Sequence, residues 1–204
     1  MVVTIARQFG SGGRKIGKKL ADRLGIAFYD KKLITIAAKE SGMDPDVLKA
    51  VDEKATNSLL YALSLGAAAT FDTTVNIEPQ LPMNDKLFLI QHDIIKKVSA
   101  EPCVIVGRCS DYILRNRKDC VKLFIYADYE DRKKYAMEVY RIPEDKVKNA
   151  INRTDKSREN YYNYYAEGVW GDPSNYDLCI NSGKLGVDKT VELIISYLRQ
   201  RGLV

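Results

Sequence analysis

The sequence lacks the residues that would indicate a zinc centre, a membrane span or a secreted scaffold. It contains one histidine, His92, and its four cysteines have no C-x-x-C spacing, so a zinc site is not expected. No apolar run reaches the length of about 18 residues that a membrane-spanning helix needs, and no signal-peptide pattern is present. We therefore expect a cytoplasmic protein with reduced thiols, no protein-only metal site and no membrane partner.

Long basic runs are also absent. The net charge is +5, from 32 Lys and Arg against 27 Asp and Glu, and the cations are spread along the chain. This distribution suits a small polyanionic ligand better than a nucleic acid, which leaves a nucleic-acid-binding module as the weaker alternative. A length of 204 residues with 46% hydrophobic residues suits one α/β domain that carries a small mobile subdomain.

What the sequence does contain is an abrupt change from strand to turn to helix near its start. Residues 2–5 form a β-branched run typical of a buried strand, and apolar residues recur at helical spacing from Arg14. Between them lies a glycine-rich turn made of Gly10, Ser11, Gly12 and Gly13. A helix N-terminus behind such a turn, with Arg7, Arg14 and Lys15 nearby, predicts an anion site, and phosphate is the natural anion.

The turn departs from two phosphate-binding motifs. Against the P-loop pattern G-x-x-x-x-G-K-S/T, Arg7 takes the place of the first glycine, Gly13 that of the lysine and Arg14 that of the Ser or Thr. The dinucleotide pattern G-x-G-x-x-G fails because Lys15 occupies its third glycine position. The turn therefore favours a mononucleotide phosphate over NAD.

Two later strands are predicted to end in charged residues. Asp30 follows a short strand after Gly25, and Arg108 follows the apolar run 103–106. Ligands lie at this edge of parallel sheets, so we expect both side chains to face the substrate. Asp30 could equally cap the next helix, and Asp111 is close enough to pair with Arg108. The alternation of strands and helices predicts a doubly wound parallel sheet.

The segment 129–165 is predicted to be almost wholly helical and is densely basic. Arg153 and Arg158 are the first and last of three cations within six residues, which suits a phosphate clamp. Four nearby tyrosines would stack on a base or, as the default expectation, pack against a neighbouring helix. The loop-rich segment 56–81 is predicted to be a surface excursion or a segment that closes over substrate.

Three blocks of sequence carry a resemblance to a known family. They are TIARQFGSGGRKIGKKLADRLGIAFYDKKLI, VIVGRCSDYIL and INRTDKSRENYYNYYAEGVWGDPSNYDLCINS. With these blocks in this order, the chain resembles the cytidylate kinase-like family. The resemblance implies a three-layer P-loop, nucleoside monophosphate kinase-like fold with a five-stranded parallel sheet, helices on both faces and a helical lid. It further implies one domain over 1–204, with a substrate-binding insert at about 43–100 and a lid at about 129–168.

The resemblance also implies an activity, the transfer of the γ-phosphoryl group of ATP to a nucleoside monophosphate, CMP or dCMP above others, with Mg²⁺. By position, it assigns the donor phosphates to Gly10, Ser11, Gly12 and Gly13, the acceptor nucleotide to Asp30 and Arg108, and the lid cations of transfer to Arg153 and Arg158. From the residues themselves, we expect Arg14 or Lys15 to supply the charge of the missing lysine, and Arg7 and Asp111 to contact the substrate. The usual magnesium-binding acids are not evident beside Gly107-Arg108. The alternative is a non-catalytic nucleotide- or phosphate-binding protein on the same fold.

Overall fold

The structure is a computed structural model that describes residues 1–30, 33, 36 and 83–204, and its elements are numbered here within that part. The strands are β1 (Val2–Arg7), β2 (Ala27–Tyr29), β3 (Cys103–Val106), β4 (Cys120–Tyr126) and β5 (Leu178–Asn181). The helices are α1 (Gly13–Leu24), α2 (Met83–Val98), α3 (Ser110–Ile113), α4 (Tyr129–Tyr140), α5 (Glu144–Tyr165) and α6 (Ser182–Gln200), with a 3₁₀ turn at Pro173–Asn175.

The five strands form one parallel sheet in the order β2-β3-β1-β4-β5. The central strand β1 pairs on both sides, with Val3 opposite Val104 of β3 and opposite Val121 of β4. A strand covered on both faces has no need for alternating polar residues, which explains why β1, β3 and β4 are predominantly apolar. Because all strands run the same way, their carboxyl ends meet at one edge.

Alternate strand residues enter two different cores. Val2 and Ile105 pack with α2 and α3, whereas Val3 and Val104 pack with α1 and α6 on the other face. The sheet is therefore the middle of three layers. This confirms the predicted fold class, a five-stranded parallel sheet with helices on both faces.

The predicted helical segment 129–165 consists of α4 and α5, separated at Arg141, which has a φ of 57°. The last helix, α6, begins at Ser182 and has a kink at Gly186. Residues 37–82 lie outside the described residues. They include the loop-rich segment 56–81 and most of the predicted insert.

The structure also tests the expectations for membrane-spanning helices and for cysteines. Among the helices of the described residues, none is long and apolar enough to cross a membrane. All four cysteines are free thiols, and Cys103, Cys109 and Cys120 are buried. Burial raises the pKa of Cys103 to about 11, so this thiol stays protonated and behaves as a small apolar side chain.

Candidate active site

A cavity of about 780 Å³ opens where β1, β2 and β3 end, between the start of α1 and one face of α5. The predicted site residues that line it are Arg7, Gly10, Gly12, Gly13, Arg14, Asp30, Arg108, Asp111 and Arg158. Three others do not line it. Ser11 is buried and its hydroxyl donates to the Gln8 carbonyl oxygen at 2.9 Å, while Lys15 and Arg153 are exposed to solvent.

The glycine-rich turn brings backbone into the cavity. Gly10 and Gly12 have φ values of 80° and 72°, and a Cβ at Gly10 would lie 2.6 Å from the carbonyl oxygen of Arg132. Only glycine meets both demands. Gly12 caps α1 without a side-chain hydrogen bond, and no acidic residue lies in the first turn of α1. The free N–H groups and the helix dipole thus make this end of α1 suitable for an anion.

Three arginines from different elements face the same cavity. Arg7 ends β1, Arg108 follows β3 and Arg158 lies on α5. Desolvation lowers the pKa of Arg7 well below its usual value, and the charges of Arg158 and Arg108 lower it further. When a polyanion enters such a cavity, its negative charge offsets the repulsion among the surrounding cations.

The backbone at Arg108 is unusual. Arg108 and Cys109 have φ values of 64° and 52°, a left-handed conformation that costs about 1–2 kcal/mol for a residue with a Cβ. The Arg108 guanidinium bonds to the hydroxyl oxygen of Tyr161, which in turn lies 3.3 Å from Oε1 of Gln91. The strained turn therefore aims Arg108 at the cavity, and the tyrosine holds it there.

Two carboxylates line the cavity, and they have different hydrogen-bond partners. Asp30 is buried and accepts a hydrogen bond of 2.6 Å from Nε of Arg14, which is itself exposed. Asp111 is buried and bonds to the hydroxyl of Tyr162, while its Oδ2 atom has no hydrogen-bond partner among the described residues. Burial raises the pKa of Asp111, so its charged form is disfavoured.

Helix α5 is attached to the glycine-rich turn by a set of contacts that the sequence does not reveal. Asp155 accepts a 2.7 Å hydrogen bond from the backbone N–H of Phe9 and forms an ion pair with Arg132. Nε of Arg132 donates to the Phe9 carbonyl oxygen at 2.8 Å, and Arg158 donates to that of Arg7 at 2.9 Å. The sequence signal for Asp155 was weak, an acid among cations, and for Arg132 there was none.

The tyrosines of α5 have different surroundings, and Tyr165 packs against α2. The ring of Tyr165 stacks on Phe88 with centroids 4.1 Å apart, and its hydroxyl donates to Oδ1 of Asp85 at 2.7 Å. These contacts confirm the packing interpretation for Tyr165. Tyr161 and Tyr162, in contrast, contribute to the cavity wall.

The lining residues also bear on magnesium. The described residues contain no group of three or more His, Cys, Asp or Glu that could hold a metal ion. Magnesium that accompanies a nucleotide needs only one or two carboxylates, because phosphates and water supply its other ligands. Asp30 and Asp111 are the carboxylates of the lining, so the residues present fit an ion held largely by phosphate and water.

Comparison with known proteins identifies the family of this site. The model of the cytidylate kinase-like family matches residues 2–184, which is most of the chain. Among curated proteins, none matches the chain. The family match confirms the resemblance seen in the three sequence blocks.

Solved structures support the fold. An uncharacterized protein from Eubacterium ventriosum ATCC 27560 is 29% identical, with a TM-score of 0.70 and 98% of each chain covered. Shikimate kinase from Bacteroides thetaiotaomicron is 12% identical, with a TM-score of 0.54 and 98% of each chain covered. Shikimate kinase from Acinetobacter baumannii, solved in complex with shikimate, is 10% identical, with a TM-score of 0.52, covering 100% of this chain and 95% of the other. At these identities the two kinases show a shared fold.

Proposed function

This chain belongs to the cytidylate kinase-like family, and from that premise we propose that it transfers the γ-phosphoryl group of ATP to a nucleoside monophosphate, with CMP or dCMP preferred. One observation carries the proposal. The glycine-rich turn and the three arginines, Arg7, Arg108 and Arg158, converge on one cavity at the carboxyl edge of the sheet. Two phosphate-bearing substrates that react with each other need this concentration of positive charge.

The arrangement suits phosphoryl transfer because that reaction needs positioning and charge neutralisation rather than a covalent nucleophile. An acceptor phosphate oxygen attacks the γ-phosphorus in line, and the bond to the β,γ-bridging oxygen breaks to release ADP. In this proposal the turn before α1 binds the donor, Arg108 and Asp30 bind the acceptor, and Arg158 neutralises the group in transit. Asp30 or Asp111 would hold Mg²⁺, which would neutralise charge on the donor phosphates.

The proposal is tested by measuring ADP formation from ATP and Mg²⁺ with a panel of acceptors. CMP, dCMP, UMP, AMP and GMP are compared with shikimate, which is included because shikimate kinases share the fold. We expect the highest kcat/KM with CMP or dCMP, and mass spectrometry should identify the nucleoside diphosphate. ADP formation that no acceptor stimulates would contradict the proposal.

A second candidate function is supported by the altered turn. Gly13 and Arg14 replace the lysine and the Ser or Thr of the P-loop, and Asp155 already occupies the N–H group of Phe9. These features suit a protein that binds a nucleotide without turning it over. Calorimetry would then show ATP binding that persists in EDTA, together with no phosphoryl transfer to any acceptor.

A further inference from the structure

We infer that Arg7 and Gly13 have exchanged the roles of the glycine and the lysine of a P-loop, so that the Arg7 guanidinium binds the phosphate chain of the donor. In G-x-x-x-x-G-K these roles belong to the first and last positions, and this chain has Arg and Gly there instead. The inference rests on the proposed function and deepens it by naming the group that replaces the missing lysine.

The space that a lysine at position 13 would need is taken by Arg7. A Cβ built on Gly13 lies 2.7 Å from Cβ and 3.1 Å from Cγ of Arg7, and 3.4 Å from Cβ of Ile125. The first of these distances is too short for any side chain at position 13 while Arg7 is in place. The two positions are therefore coupled, since the arginine stem requires the glycine.

The far end of the Arg7 side chain lies against another glycine. A Cβ built on Gly107 would be 2.2 Å from Nη1 of Arg7. The side chain thus runs from the first residue of α1, where the donor phosphates are expected, to the turn that precedes Arg108, where the acceptor is expected. A guanidinium on this path can contact the groups that react.

Among the described residues, the Arg7 guanidinium forms no ion pair with a carboxylate. The charge of Asp30 raises the pKa of Arg7, but burial and the charges of Arg158 and Arg108 outweigh it, so that the pKa is lowered. Arg14, in contrast, is exposed and paired with Asp30, and Lys15 is exposed outside the cavity. A partly buried cation without an acid partner is costly, and a bound anion removes that cost.

The experiment compares three variants with the wild type. Arg7→Gln keeps most of the stem without the charge, Gly13→Lys adds the lysine to the occupied space, and the double variant Arg7→Gly/Gly13→Lys restores the first glycine and the lysine of the P-loop sequence. Arg199→Ala, at an exposed position on α6, is the matched control for loss of one cation. Calorimetry measures the Kd of ATP, of tripolyphosphate and of adenosine, a ligand without phosphate, and thermal unfolding checks that each variant is folded.

We expect Arg7→Gln to weaken ATP and tripolyphosphate binding by about 10- to 100-fold, the effect of one charged hydrogen bond. Adenosine binding should be nearly unchanged, and the melting temperature of the ligand-free protein should be unchanged or higher, because a costly buried charge is removed. Gly13→Lys should bind worse than the wild type because of the collision, and the double variant should recover most of the affinity that Arg7→Gln loses. The Arg199→Ala control should bind ATP as the wild type does.

Two results would overturn the inference. One is wild-type affinity for ATP and tripolyphosphate in folded Arg7→Gln, and the other is a folded double variant that binds no better than Arg7→Gln. Failure of this inference can be distinguished from failure of the proposed phosphoryl transfer. If the wild type binds ATP through Arg7 but phosphorylates no acceptor, the proposed function fails and the inference stands on binding alone, whereas a wild type that binds neither ATP nor tripolyphosphate refutes both.

Discussion

The backbone N–H of Phe9 donates a 2.7 Å hydrogen bond to Oδ1 of Asp155, and this bond joins the glycine-rich turn to α5. The other carboxylate oxygen of Asp155 pairs with Arg132, whose Nε donates to the carbonyl oxygen of Phe9 at 2.8 Å. The Asp155–Arg132 ion pair therefore binds both the backbone N–H and the carbonyl oxygen of Phe9, the residue before the glycine-rich turn. Because Arg158 lies three positions further along α5, the same contact sets where that arginine meets the cavity.

The first prediction concerns the stability of this junction. Asp155→Asn should lower the free energy of unfolding by about 2 kcal/mol, because it leaves the buried Arg132 without its counter-ion. The matched control is Glu159→Gln, which removes a more exposed pair with Lys156 on the same helix and should cost less than about 0.5 kcal/mol. Urea unfolding measures both variants, and equal losses would contradict the prediction.

The second prediction separates backbone strain from contact with Arg7. Gly107 and Gly186 have φ values of 82° and 72°, so Gly→Ala at either position should cost about 1–3 kcal/mol. A Cβ at Gly107 would collide with Arg7, whereas a Cβ at Gly186 has no heavy atom of a described residue within 4 Å. Only Gly107→Ala should therefore weaken ATP binding, by about 10-fold or more in calorimetry. Equal ATP affinity in the two variants would show that ATP binding does not depend on the position of the Arg7 side chain.

Much of the fold could be predicted from the sequence because buried parallel strands are continuous apolar runs. The runs at residues 2–5 and 103–106 both form strands in the middle of the sheet. The start of α6 could not be predicted in this way. The side chain of Asn181 accepts from the Gly183 N–H at 3.1 Å and begins a helical turn ahead of the kink at Gly186, which apolar spacing does not show.

The candidate site was predictable where a residue follows a strand directly, as Asp30 and Arg108 do. For residues on helices, closeness in the sequence was a poorer guide to which side chains line the cavity. Arg153 and Arg158 are five residues apart on α5, a rotation of about 140° after one full turn, so one is exposed and the other lines the cavity. Asp155 and Arg132 were missed because their contacts with Phe9 depend on how α4 and α5 fold back onto the turn.

The third prediction assigns Arg108 to the acceptor. Arg108→Ala should raise the KM of the acceptor by about 30-fold or more and leave the Kd of ATP within about threefold, since the guanidinium lies at the end of β3 rather than in the turn before α1. Arg115→Ala serves as the control, because Arg115 is exposed and its guanidinium lies over the ring of Tyr112. Steady-state kinetics and calorimetry test the split, and a loss confined to ATP affinity would reverse the assignment.

The fourth prediction is a pH dependence that arises from Asp111. Burial raises the pKa of this carboxyl in the folded protein, whereas in the unfolded chain it titrates near pH ~3.9. Between these two pKa values the folded state binds more protons than the unfolded state, so the contribution of Asp111 to stability falls as the pH rises through that window. At a pH above both pKa values, Asp111 is ionised in the folded protein, and its buried charge beside Tyr162 lowers the free energy of unfolding by the full amount.

Asp111→Asn should remove this cost, because asparagine has no proton to lose. We expect the variant to be more stable than the wild type by about 1 kcal/mol near neutral pH, with the difference shrinking as the pH falls toward ~4. Asp145→Asn, at an exposed position in the first turn of α5, should leave the shape of the profile unchanged. Urea unfolding of the three proteins between about pH 4 and about pH 8 makes the comparison. Parallel profiles for wild type and Asp111→Asn would mean that Asp111 titrates alike in the folded and unfolded chains, and its burial would then have no energetic consequence at the cavity.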